Sequence, residues 1–118
     1  MKTLVVGASL KEERYSNKAI KMLREYGHEV IAHGLREGMV EDVNIHTKWY
    51  TGEDIDTVTL YLNPARQVEY YDEIIKLKPR RVIFNPGTEN NEFVQKLSDA
   101  GIKSEEACTL VLLRTEQF

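Results

Sequence analysis

The residues best suited to chemistry follow an apolar run near the start of the chain. Val5-Val6-Gly7-Ala8-Ser9 leads, across a short charged stretch, to Arg14-Tyr15-Ser16. A glycine leaving a strand lets the chain turn sharply and lets a ligand approach the backbone. The free amides of a helix opening just beyond it offer an anion site, and a guanidinium grips phosphate bidentately. One exposed helix end contributes only about 0.3–1 kcal/mol per charge, so several such contacts must act together. These residues would suit an anionic small ligand, while Gly7 alone reads equally as a plain strand-to-helix turn. Dinucleotide-dehydrogenase chemistry is disfavoured. Gly7-Ala8-Ser9-Leu10-Lys11-Glu12 lacks the G-x-G-x-x-G spacing, and Ala32-His33-Gly34 stands where an acidic residue would hold an NAD ribose. A Walker-type Gly-Lys-Ser/Thr is absent as well.

Catalytic groups are sparse. Cys108 is the lone cysteine, and a free cysteine usually serves as a small apolar side chain. His28, His33 and His46 lack metal-ligand spacing, so no metal is expected. Only His33 falls in a candidate ligand loop, and no residue pattern backs a Cys108–His33 nucleophilic pair. Tyr61, Tyr70 and Tyr71 sit at core spacing and read as packing residues. Trp49 and Tyr50 read as cover for the core edge, with stacking on an adenine as the alternative.

The elements that must position these residues follow from the pattern. Thr3 to Val6 reads as a strand; Ala19, Ile20, Leu23 and Tyr26 share one face of a helix starting near Ser16, whose hydroxyl is expected to cap it. Strands are expected over Glu29–Ala32, Asp56–Leu62, Arg81–Phe84 and Ile102–Ala107. Asn63-Pro64 opens a second helix, with Val68, Tyr71, Ile74 and Ile75 on one face. Thr88 is expected to cap a helix carrying Phe93, Val94, Leu97 and Ala100, and Thr109 to Phe118 reads as an amphipathic tail, helix in preference to strand. The 34–54 segment, glycine-rich and charged, offers at most a short strand near Val43 to Ile45. Alternating strands and helices imply parallel pairing with right-handed crossovers. The fold class is therefore α/β: a single Rossmann-like three-layer domain over 1–118 with a mainly parallel sheet of about five strands. In such sheets ligands bind outside the carboxyl ends of the strands, which selects the loops Gly7 to Ser16, His33 to Gly38, Asn63 to Ala65 and Asn85 to Thr88.

Composition narrows the remaining classes. The 118 residues, 42% hydrophobic, suffice for one core. The formal net charge is −3 with basic residues scattered, so nucleic-acid binding, which needs a clustered basic face, is disfavoured. No apolar run reaches the roughly 20 residues of a membrane span, and the apolar stretch in MKTLVVGAS is too short for a signal peptide. A single cysteine fits a reducing compartment, and the cytoplasm is the expected location.

The strings Val5-Val6-Gly7-Ala8-Ser9, Arg14-Tyr15-Ser16 and Gly27-His28-Glu29-Val30-Ile31, with Leu62-Asn63-Pro64 and Glu106-Ala107-Cys108 further on, resemble the small stand-alone CoA-binding proteins. These are relatives of the CoA-binding domain in the α subunit of succinyl-CoA ligases, and the resemblance runs the length of the chain. It implies coenzyme A, or an acyl-CoA, lying across the strand ends. Gly7, Ala8 and Ser9 would meet the pyrophosphate, supported by Arg14 and Ser16. Arg36 would reach the ribose or its phosphate. Leu62, Asn63 and Pro64 would flank the pantetheine, with Asn85, Pro86 and Gly87 beside them. The chain departs from the pattern at His33-Gly34, where many relatives carry Asn-Pro, which leaves the adenosine end open. Glu12 and Glu13 would repel the ligand unless they face water. The ligase's phosphorylated histidine belongs to a second domain that has no counterpart in these residues. A non-catalytic binding, sensor or carrier module is thus favoured over an enzyme or enzyme subunit acting on acyl-CoA. A third reading is an interaction module with a vestigial site, meeting a second copy or another protein through the 34–54 segment and the apolar tail.

Overall fold

The computed structural model describes residues 2–118. In chain order the elements are β1 (Lys2–Ala8), α1 (Tyr15–Glu25), β2 (Glu29–Gly34), β3 (Gly38–Val40), β4 (Val43–His46) and β5 (Ile55–Leu60). Then come α2 (Pro64–Gln67), a 3-10 turn (Val68–Tyr70), α3 (Tyr71–Leu77), β6 (Arg81–Phe84), α4 (Asn91–Asp99), β7 (Lys103–Glu106) and α5 (Thr109–Arg114). The strands form one sheet in the order β3-β4-β2-β1-β5-β6-β7. Every pairing is parallel except the antiparallel β3–β4 hairpin.

The α/β Rossmann-like class stands, with seven strands rather than about five. Both extra strands come from the 34–54 segment: β4 (Val43–His46) is the short strand expected near Val43 to Ile45, whereas β3 (Gly38–Val40) is too short to announce itself.

Successive strand residues point to opposite faces, and both faces of β1 are apolar because both are covered. Leu4 and Val6 face a core completed by Tyr71 and Ile74 of α3, Phe93 and Leu97 of α4, and Val58, Leu60, Val82 and Phe84 of the sheet. Val5 faces the other way, onto Ile20 and Leu23 of α1, Ala32, Ile45 and Leu113 of α5. The chain leaves β1 through α1 toward β2, and leaves β5 through α2 and α3 toward β6, in the opposite direction along the sheet. With right-handed crossovers this sends the two sets of helices to opposite faces.

Several local expectations are corrected. Arg14, not Ser16, occupies the N-cap of α1, and no side chain caps it; Ser16 is drawn into the first turn and is buried. Thr88 does not cap α4. Its hydroxyl donates to the Asn85 carbonyl at 2.7 Å, while Asn90 Oδ1 accepts the Phe93 amide at 3.1 Å. The helix after Asn63-Pro64 is not continuous, because the 3-10 turn resets its rotation and leaves Val68 55% exposed, off the core face. Asn63 caps α2 as expected, its Oδ1 accepting the Arg66 amide at 3.0 Å. The last helix stops at Arg114, short of Phe118.

Candidate ligand-binding site

Because β2 and β5 lie on opposite sides of β1, the β1–α1 and β5–α2 connections diverge and open a crevice above the strand ends. Its volume is about 790 Å³. Two glycines keep it open. Gly7 has φ +93°, and a Cβ there would sit 3.0 Å from the Tyr61 carbonyl carbon. A Cβ on Gly34 would collide with the Ala8 carbonyl oxygen, so only glycine lets the ends of β1 and β2 approach this closely. Gly7→Ala is therefore expected to cost about 1–3 kcal/mol from the positive φ alone, read as a lower urea midpoint with an unchanged slope. A midpoint at the wild-type value would mean the loop relaxes freely.

The loop after Gly7 is held in shape by its own polar groups. Asn17 Nδ2 donates to the Ser9 carbonyl at 2.9 Å, the Lys11 amide to Ser9 Oγ at 3.1 Å, and the Arg14 amide to the Lys11 carbonyl at 3.1 Å. Among the described residues no protein acceptor takes the amides of Tyr15 or Ser16, the first two residues of α1. Those donors point out of a helix start, and both residues line the crevice.

Charge follows the same geometry. Lys11, Arg14, Arg36 and Arg66 all line the crevice, against one carboxylate, Glu69. None of the ion pairs among the described residues engages these four cations. Glu12 and Glu13 are exposed and lie outside the lining, and Glu12 is turned to Lys21 at 3.5 Å. A chain of net charge −3 thus carries a locally cationic cleft, suited to a polyanion.

The opposite wall is formed by Leu62, Asn63, Pro86, Gly87 and Thr88. The Gly87 amide is already occupied, donating to Glu89 Oε1 at 2.8 Å. Asn85 belongs to the interior instead: its Nδ2 donates to Thr59 Oγ1 at 2.6 Å and to the Leu60 carbonyl at 2.9 Å, and its Oδ1 accepts the Thr109 amide at 2.9 Å. Tyr61 lines the floor, and burial pushes its hydroxyl up to about 12.

At the end of β2, His33 is 6% exposed. Its Nε2 lies 3.3 Å from the Tyr70 hydroxyl. The Trp49 and Tyr70 rings stack at 5.3 Å, and the His33 ring meets both edge-on. Burial holds His33 below the usual histidine pKa. A smaller recess of about 280 Å³ lies behind this aromatic group, between β2 and the 46–52 segment.

Of the residues singled out in the sequence, Gly7, Ala8, Ser9, Arg14, Ser16, Arg36, Leu62, Asn63, Pro86 and Gly87 are brought together around one crevice. Asn85 and Pro64 are not: the amide of Asn85 is spent on the core, and Pro64 sits on the outside of the α2 turn. Lys11, Arg66, His33 and Tyr70 line the crevice without having been singled out as ligand contacts. Lys11 and Arg66 lie in or just beyond selected loops, so their charge was the available signal. Tyr70 gave none, because the 3-10 turn that aims it could not be foreseen. Cys108 is half-buried and outside the lining. No cluster of metal-ligating side chains occurs among the described residues, and no helix among them is long and apolar enough to cross a membrane.

Comparison with known proteins gives a consistent picture. A family model described as "CoA binding domain" matches residues 1–114. No curated protein matches the chain. Among solved structures, an uncharacterized protein is 45% identical with a TM-score of 0.96, covering 99% of this chain and 97% of its own. A hypothetical protein from Pyrococcus horikoshii OT3 is 28% identical with a TM-score of 0.81, covering 95% of this chain and 81% of its own. At 16% identity and a TM-score of 0.73, the fold also matches 25% of an acetyl-coenzyme A synthetase from Ca. Korarchaeum cryptofilum, over 90% of this chain.

Proposed function

Since the chain belongs to the CoA binding domain family, we propose that residues 1–118 form a single domain whose crevice binds coenzyme A or an acyl-CoA and that it acts as a binding, sensor or carrier module. The observation that carries this reading is the coincidence, at one crevice, of four cations without an ion-pair partner and two main-chain amides without a protein acceptor among the described residues. A pyrophosphate would lie against Gly7, Ala8, Ser9 and the start of α1, where Tyr15 and Ser16 offer N–H donors and Arg14 a bidentate partner. Arg36 would take the ribose phosphate. The pantetheine would run between Leu62 and Asn63 on one side and Pro86 and Gly87 on the other, where the wall carries less charge. Neither Asn85 nor Pro64 has a contact role in this arrangement.

Thermal denaturation with CoA, dephospho-CoA, NAD and ATP tests it. At ligand about 100-fold above Kd, binding adds about 2.7 kcal/mol, which moves Tm by roughly 10 °C for a domain of this size. CoA is expected to give the largest shift of the four. Equal shifts with all four, or none, would remove the coenzyme A reading.

A further inference from the structure

His33 lines the crevice at the end of β2, and its surroundings suit it to sense what the crevice holds. The ring is buried at the carboxyl end of β2 and lines the crevice. One nitrogen, Nε2, meets the Tyr70 hydroxyl at 3.3 Å. The other, Nδ1, is buried and has no hydrogen-bond partner among the described residues. Burial and the Glu69 carboxylate both keep the Tyr70 hydroxyl protonated, and this hydroxyl can donate to Nε2 or accept from it according to the imidazole tautomer.

The charged groups around this ring are mixed. His46, its register partner on β4, and Lys48, on the following loop, oppose a second positive charge, as do Arg36 beyond β2 and Arg66 on α2. Glu69 on the 3-10 turn favours one. β1 contributes only Val6 at this level. An arriving polyanion would neutralise Arg14, Arg36 and Arg66, and it would add negative charge on the crevice side of the ring. Low effective dielectric makes that change in field large at a buried site.

We propose that His33 is a binding residue of the crevice that takes up a proton when a phosphate-bearing ligand enters, so that occupancy is coupled to pH. The proposal rests on reading the crevice as a coenzyme A site. The sign follows from linkage: a group that holds its proton more tightly in the bound state strengthens binding as pH falls. The gain is confined to the interval between its free and bound titration midpoints. Within that interval affinity rises by up to about tenfold per pH unit for one proton. The monoester phosphate of CoA also titrates near pH 6, so the measurement must be a difference between proteins that see the same ligand.

The test is isothermal titration of the full chain with CoA between pH 5.5 and 8, in buffers of different ionisation enthalpy, for wild type, His33→Asn and His46→Asn. Wild type and His46→Asn are expected to take up more protons per CoA than His33→Asn, and the wild-type affinity should gain on His33→Asn as pH falls. If His33→Asn does not fold, NMR titration of the His33 ring in wild type, with and without CoA, reads the same quantity. Its midpoint should rise when CoA is bound. Equal proton uptake in all three proteins, or a midpoint that is unmoved or lower, overturns the role of His33 while leaving the CoA site intact. Absence of any CoA binding by wild type across the range overturns the site reading itself.

Discussion

Asn85→Ala is expected to lower the unfolding free energy by about 3 kcal/mol, the largest stability loss anticipated for a polar residue at this end of the sheet. The side chain makes three hydrogen bonds in a buried setting, to Thr59, to the Leu60 carbonyl and from the Thr109 amide. Alanine leaves the Leu60 carbonyl and the Thr109 amide desolvated without partners, each at a cost of about 1–3 kcal/mol. The Thr59 hydroxyl suffers least, because it retains Thr109 Oγ1 at 2.8 Å. Urea denaturation measures the loss directly. A loss under about 1 kcal/mol would show that water or a rearranged α5 start satisfies these groups. Since Asn85 ties the end of β6 to the first turn of α5, the variant should also loosen the Pro86–Thr88 wall.

Arg14→Glu is the second large effect, and it falls on binding. Losing a hydrogen bond to a charged phosphate costs about 1.5–3 kcal/mol, and the introduced carboxylate adds repulsion. Together these predict CoA affinity weakened by about 100-fold, with a shallower dependence on salt. Arg14 is exposed and takes part in no ion pair among the described residues, so stability should stay within about 0.5 kcal/mol of wild type. Calorimetry and urea denaturation run side by side separate the two. Unchanged affinity in a folded variant would take Arg14 out of the site.

What the sequence made legible was the alternation of buried strands with amphipathic helices, because that pattern is written in period and is enforced by burial on both faces of β1. It also exposed the loops at the strand ends, since Gly7, Asn63-Pro64 and Pro86-Gly87 have backbone meanings independent of tertiary context. The β3–β4 hairpin was legible only at Val43 to Ile45, because the three residues of β3 carry too little pattern. Its stability comes from elsewhere: Arg24 grips Asp42 through two bonds of 2.9 and 2.7 Å, and Leu10 lies over Gly38. The misplaced caps have a similar cause. Ser16 and Thr88 are suitable residue types, but α1 starts without a side-chain cap and Asn90 caps α4, as only packing decides. Asn85 is the most instructive case. A polar residue in a ligand loop and a polar residue that staples two elements look alike in a string of letters, and only the direction of the side chain tells them apart.

The Glu89 carboxylate already seated on the Gly87 amide makes the two walls of the crevice thermodynamically unequal. A guest carbonyl or phosphate oxygen arriving there evicts a tethered competitor, so one hydrogen bond replaces another and the net gain is small. At the head of α1 no such exchange is required. Attachment strength should therefore reside almost wholly in the anionic head of a ligand, while its neutral tail is steered along the second wall and remains free to be swapped for another.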